Sequence, residues 1–186
     1  MNSRRSSSRE QSRRIAFCGL TSALSVVLMI SGGLIPIATY AAPMAAALLL
    51  LPVVFEFGRM TALLTYAAAG LISLMLSTDK EAALFYLFIG YYPVIKWSLD
   101  RIHPRPLRIA AKLLVFNGSI GLMYALLCLV LHLDAITAEF AEMGRAMLAA
   151  FVLLLNLCLF LYDRLLVPLS MIYWDRIRPK LSFLRQ

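Results

Sequence analysis

A series of long uncharged apolar stretches leaves a chain few ways to fold in water and one natural solvent, the lipid bilayer. The first stretch, Ile15 to Gly33, carries no charge. At 1.5 Å rise per residue it reaches roughly 28 Å, close to the thickness of a hydrocarbon core. In lipid every backbone N–H and C=O must be satisfied within the segment, so such a stretch is predicted to be a helix. Further apolar segments lie at about 43–55, 60–76, 82–97, 109–131 and 146–168. Short polar connections separate them: Glu56-Phe57-Gly58-Arg59, Ser77-Thr78-Asp79-Lys80-Glu81, a turn holding Pro104 and Pro106, and an acidic connection with Asp134, Glu139 and Glu142. Composition agrees, because 61% of residues are hydrophobic and 15% charged, against about 45–50% and about 25% in soluble domains. The sequence therefore predicts an all-α integral membrane protein, a bundle of six transmembrane helices over 13–174. Residues 1–12 are expected to form a disordered basic tail, and 175–186 a basic tail at the membrane surface.

Charge placement sets the orientation. Arg4, Arg5, Arg9, Arg13 and Arg14 precede the first segment, which pins the N-terminus to the cytoplasm. With six spans, only Lys80 and Arg145 of the 18 lysines and arginines fall in external connections. Five spans would put one basic terminus outside, against the positive-inside rule. The expected location is the cell membrane, multi-pass, with both termini cytoplasmic. Ser12-Arg13-Arg14 also resembles a twin-arginine export signal with cleavage near Thr39-Tyr40-Ala41. The apolar segments that follow argue against cleavage. The net charge of +8 forms no reading surface for nucleic acid, because the charges flank apolar segments.

No catalytic constellation is present. The spans hold no Ser–His or Ser–Lys pair, no paired Asp and no His-Glu-x-x-His pattern, and the chain lacks a Gly-x-x-x-x-Gly-Lys phosphate loop. Cys18, Cys128 and Cys158 lie in apolar segments without metal or redox spacing. No metal, no cofactor and no enzymatic activity of the chain by itself are expected. Glu56 and the adjacent Asp163 and Arg164 lie near the cytoplasmic boundary and read as interfacial anchors, the last two able to pair. No lysine or arginine is expected inside the membrane to meet an anionic ligand.

Neutral polar groups remain at mid-depth. Asn117 falls about 12 Å into its span, Asn156 about 15 Å and Tyr91 about 13 Å. Asn117, Gly121, Tyr124 and Cys128 share one helix face by spacing. Such asparagines serve either as interhelical glue or as the polar groups of a small-molecule pocket. Gly19 and Ala23, at i and i+4 in the first segment, permit close approach of another helix.

With six short spans, a cytoplasmic N-terminus, the stretch Arg14-Ile15-Ala16-Phe17-Cys18-Gly19-Leu20-Thr21-Ser22-Ala23-Leu24 and the uncharged connection from Gly32 to Ala42, the chain resembles the substrate-binding S components of energy-coupling factor (ECF) transporters. The first helix of that family typically carries Ala-x-x-x-Ala. Gly19 and Ala23 stand at those places, a conservative departure. Trp174 to Lys180 also resembles family tails. The resemblance implies capture of a vitamin or similar micronutrient from outside the cell. It implies a shared transmembrane coupling protein, touched by Gly19 and Ala23, and two ATPase subunits that supply ATP hydrolysis. A pocket among the last three helices, closed by the loop 34–42, is expected to use Thr39, Tyr40, Tyr86, Tyr91, Asn117, Tyr124 and Asn156 for a neutral, partly aromatic substrate. A cell-shape scaffold subunit of the MreD type, similarly small and multi-span, is the first alternative and needs no pocket; an unrelated small transporter acting alone is the second.

Overall fold

The computed structural model describes residues 2–32, 38–129 and 144–180. Among these the chain is helical throughout: α1 (Asn2–Gly32), α2 (Ala38–Leu48), α3 (Leu50–Leu76), α4 (Lys80–Ile89), α5 (Tyr92–Leu99), α6 (Arg105–Leu129) and α7 (Arg145–Ile172), which ends in a widened turn at Tyr173–Ile177. Five stretches are long and apolar enough to cross a membrane: Arg9–Gly32, Leu50–Leu76, Lys80–Leu99, Arg105–Leu126 and Ala149–Lys180. The chain is an all-α protein with the helices of a multi-pass membrane protein. It forms two compact units, 1–95 with 166–186, and 96–165.

Helix boundaries follow local chemistry. The polar turn after α3 ends at Asp79, whose carboxylate caps α4 by accepting from the Ala82 N–H at 3.0 Å. Gly90 divides α4 from α5, and a Cβ there would lie 2.5 Å from the Tyr86 carbonyl oxygen. α6 starts at Arg105, earlier than its apolar pattern, because Pro106 sits in the first turn, where its missing N–H has no intrahelical partner to lose. α1 includes residues 2–12, where a disordered tail is expected. Once a long helix is nucleated, extending it through Arg, Glu and Gln costs little, and through Ser or Asn less than about 0.7 kcal/mol per residue.

The second and third apolar segments depart most from expectation. Helical structure begins at Ala38, well before Pro43, and Leu49 between α2 and α3 keeps right-handed helical angles. Within α3, Gly58 has φ 81° and ψ 174°, which breaks the helix at the expected Glu56–Arg59 turn. That conformation is essentially restricted to glycine.

In the larger unit α1 packs against α2 and α3, and both of these pack against α4. Val26 and Met29 of α1 meet Ala46, Ala47, Ala69 and Tyr86 in one cluster, and Leu50, Val53, Ala62 and Val94 form a second. Alanines at these contacts allow backbones to approach closely, the usual device where lipid removes the hydrophobic drive between helices. Ser22 and Ser25 donate across to the carbonyls of Thr65 and Ala46, each at 3.2 Å. The buried face of α1 thus runs through Ser22, Ser25, Val26 and Met29. Gly19 and Ala23 lie on its exposed side.

Candidate functional site

The smaller unit carries its polar chemistry on α6 and α7. Asn117 Nδ2 donates to Asn156 Oδ1 at 2.9 Å, and Asn156 Nδ2 returns a bond to Asn117 Oδ1 at 3.0 Å. Each amide also donates to the carbonyl one turn back, Leu113 or Val152, at 2.9 Å. Two asparagines thus form a closed pair between α6 and α7, which satisfies the need of polar groups in apolar surroundings. Beside the pair lies an open groove of about 290 Å³, lined by Asn117, Ile120, Gly121 and Tyr124 of α6 and by Phe151, Val152 and Leu155 of α7. Of the expected ligand residues, Asn117 and Tyr124 line this groove. Asn156 holds Asn117 without itself lining it.

Nearer the start of α6 the same unit holds a ring of four charges. Lys96 Nζ meets Asp100 Oδ2 at 2.9 Å and Asp163 Oδ1 at 2.8 Å. Lys112 Nζ meets Asp100 Oδ1 at 2.6 Å and Asp163 Oδ2 at 2.8 Å. Each carboxylate bridges both ammoniums and each ammonium bridges both carboxylates, so the ring is neutral and closed. Lys96 is buried, with 2% of its surface exposed. Burial pushes the Asp100 carboxyl up, but hydrogen bonds from Lys112 and Lys96 outweigh it and leave the group below the ordinary carboxylate range.

The ring corrects one expectation. Asp163 pairs with Lys96 and Lys112, while the Arg164 guanidinium sits 5.1 Å over the Phe160 ring. Adjacent helix residues point about 100° apart, so a carboxylate on a buried face cannot follow its neighbour to the exposed one. Lys96 and Lys112 stand near the ends of their apolar stretches, and the aspartates neutralise them. One signal was available in the sequence: Lys96 and Asp100 stand at i and i+4. Nothing in one dimension pointed to Lys112 or Asp163 as their partners.

The remaining expected ligand residues belong to the larger unit. Tyr86 is fully buried, with the Ser25 hydroxyl beside its own. Tyr66, absent from the expected set, links Tyr86 (ring centroids 5.5 Å apart) to Tyr91 (6.2 Å) and donates its hydroxyl hydrogen to the Leu87 carbonyl. Tyr40 donates to Glu81 at 2.6 Å and packs edge-on against Phe85 at 5.2 Å. Thr39 is half-buried on α2, and only residues 38–42 of the expected closing loop 34–42 are described. So Thr39, Tyr40, Tyr86 and Tyr91 lie in one unit, and Asn117, Tyr124 and Asn156 in the other.

Glu56 in the larger unit accepts from the Tyr173 hydroxyl at 2.9 Å and from Arg178 Nε at 3.0 Å. Arg178 lies 3.9 Å over the Trp174 ring. The C-terminal basic segment is therefore tied down through residue 178. Gly19, the expected partner contact, is exposed, and a Cβ there would meet nothing within 4 Å. Among the described residues, no group of three or more His, Cys, Asp or Glu side chains is placed to hold a metal ion.

Fold and site together describe a multi-helix protein of membrane type with a small groove between two long apolar helices. No family model, no curated protein and no solved structure matches the chain.

Proposed function

We propose that the chain is the substrate-capturing membrane subunit of an importer of the energy-coupling factor type. It takes up a vitamin or similar small micronutrient and relies on a transmembrane coupling protein and two ATPase subunits for energy. The observation that carries this reading is the groove of about 290 Å³ between α6 and α7, aromatic and aliphatic with an amide at its wall. Ligand sites for small molecules have this mixture of an apolar lining and a few fixed polar groups. A scaffold subunit has no need of one.

Six spans fit the reading better than five. The helical stretch 38–57, continuous through Leu49 and stopped by Gly58, has about 20 residues and a length of roughly 30 Å, enough for a span of its own. Six spans place both basic termini in the cytoplasm. Gly19 and Ala23, on the exposed side of α1, then supply the contact for the coupling protein.

The test is purification of the tagged chain from its native membrane in mild detergent, with mass spectrometry of everything that accompanies it. Copurification of a membrane protein, two ATPase subunits and a small molecule is expected. A chain that emerges with cell-wall or cell-shape proteins and no small molecule overturns the reading in favour of a scaffold.

A further inference from the structure

We propose that the groove between α6 and α7 selects uncharged ligands that present a hydrogen-bond donor, an N–H or O–H, on a flat apolar body. The inference rests on reading the groove as a ligand site and adds the polarity that the ligand must have. Its source is the amide pair. Asn117 Nδ2 bonds the Leu113 carbonyl and Asn156 Nδ2 bonds the Val152 carbonyl, both at 2.9 Å. A backbone carbonyl only accepts, so neither amide can be turned over without losing that bond. Oriented in this way, each amide spends its second N–H on the other's Oδ1. All four N–H groups are committed, and each Oδ1 keeps one further acceptor position.

At Asn117, which lines the groove, a ligand therefore finds an acceptor and no donor. An ether, ester or carboxylate oxygen at that point would face Oδ1 or have to break the pair. A donor adds a bond and leaves the pair intact, and the apolar walls strengthen that bond. Lys96 and Lys112 each already bridge two carboxylates in the ring, so they offer an anion little. The volume of about 290 Å³ lies at the small end of ligand sites, about 300–1,000 Å³, which suits one or two fused rings.

The test uses matched pairs of closely similar shape, indole against benzofuran and 2-naphthol against 2-methylnaphthalene. Each is titrated onto the detergent-solubilised full chain, with affinity read from ligand-observed NMR. Two variants locate the binding. A Cβ at Gly121 or at Gly118 meets nothing within 4 Å, and leucine is the better helix former, so Gly121→Leu and Gly118→Leu should both fold. Only Gly121 lines the groove. The donor of each pair is expected to bind roughly tenfold more tightly than its isostere, the gain of one net hydrogen bond. Gly121→Leu should abolish that binding and Gly118→Leu should leave it unchanged. Equal affinity within each pair, still lost in Gly121→Leu, overturns the donor rule and leaves the groove as a ligand site. No saturable binding of any compound, or binding that survives Gly121→Leu, overturns both and leaves a groove filled by lipid chains.

Discussion

Asp163 holds two ammonium groups with one buried carboxylate, and that arrangement makes the side chain hard to replace. Taking a charge out of water costs several kcal/mol, and only the return contacts of a complete ring offset it. Asp163→Asn leaves Lys96 and Lys112 with half their partners, one of them buried. The expected loss is about 3–5 kcal/mol, read as a lower unfolding midpoint in micelles. Adding Lys96→Met to Asp163→Asn should cost less than the sum of the single losses, because the second change removes the charge that the first stranded. Additive losses would show that the ring is not coupled. Asp100 gives the ring a pH dependence. Its folded carboxyl is held below the ordinary range, so its contribution is present above the unfolded pKa and is lost as pH falls through the lower, folded one. A melting temperature that drops on acidification below about pH 4, with a flatter profile in Asp100→Asn, is the expected outcome. The asparagine pair differs in kind because it is neutral. A double-mutant cycle on Asn117→Ala and Asn156→Ala, without ligand, should give a coupling of about 0.6–1.7 kcal/mol, the range for hydrogen bonds between membrane helices.

Within single elements, glycines decide where helices stop and where they stay open. Gly58 and Gly19 both have free space at the Cβ position, but only Gly58 has a positive φ, 81°. Gly58→Ala is therefore expected to destabilise by about 1–3 kcal/mol through backbone strain alone. Gly19→Ala meets no neighbour and carries no such strain, so it should be neutral or stabilising by up to about 1 kcal/mol. Thermal unfolding of the two variants side by side checks the contrast. Similar losses at both positions would mean that backbone angle does not decide the cost here.

For the whole molecule, the proposed topology and the proposed coupling face are separately testable. In a background lacking Cys18, Cys128 and Cys158, a single cysteine at Thr78 should react with an impermeant thiol reagent added outside cells, and one at Ser7 should not. Labelling of position 7 from outside rejects six spans with cytoplasmic termini. Gly19→Leu puts a bulky side chain on the exposed side of α1, away from its packed face of Ser22, Ser25, Val26 and Met29. The isolated chain should fold, and a complex with a coupling protein should fail to survive sizing chromatography. An intact complex would remove this face as the interface.

By itself the sequence determined the solvent and most of the elements. Uncharged runs of membrane length leave helices as the economical way to satisfy the backbone, and the turns at Glu56–Arg59 and Ser77–Glu81 are marked by glycine, charge and a capping aspartate. It also brought Asn117 and Asn156 to comparable depth, because rise per residue is nearly constant in a helix. It could not say which faces of different helices meet, since periodicity gives the angle of a residue about its own axis and nothing about the neighbour. Tertiary structure decided that the two amides close on each other and consume every N–H. It decided that Asp163 joins Lys96 and Lys112 and leaves Arg164 over an aromatic ring. Buried polar groups take the partners that packing brings within about 3 Å, and those partners, 39 residues away for Asn117 and 67 residues away for Lys96, are fixed by three-dimensional packing alone.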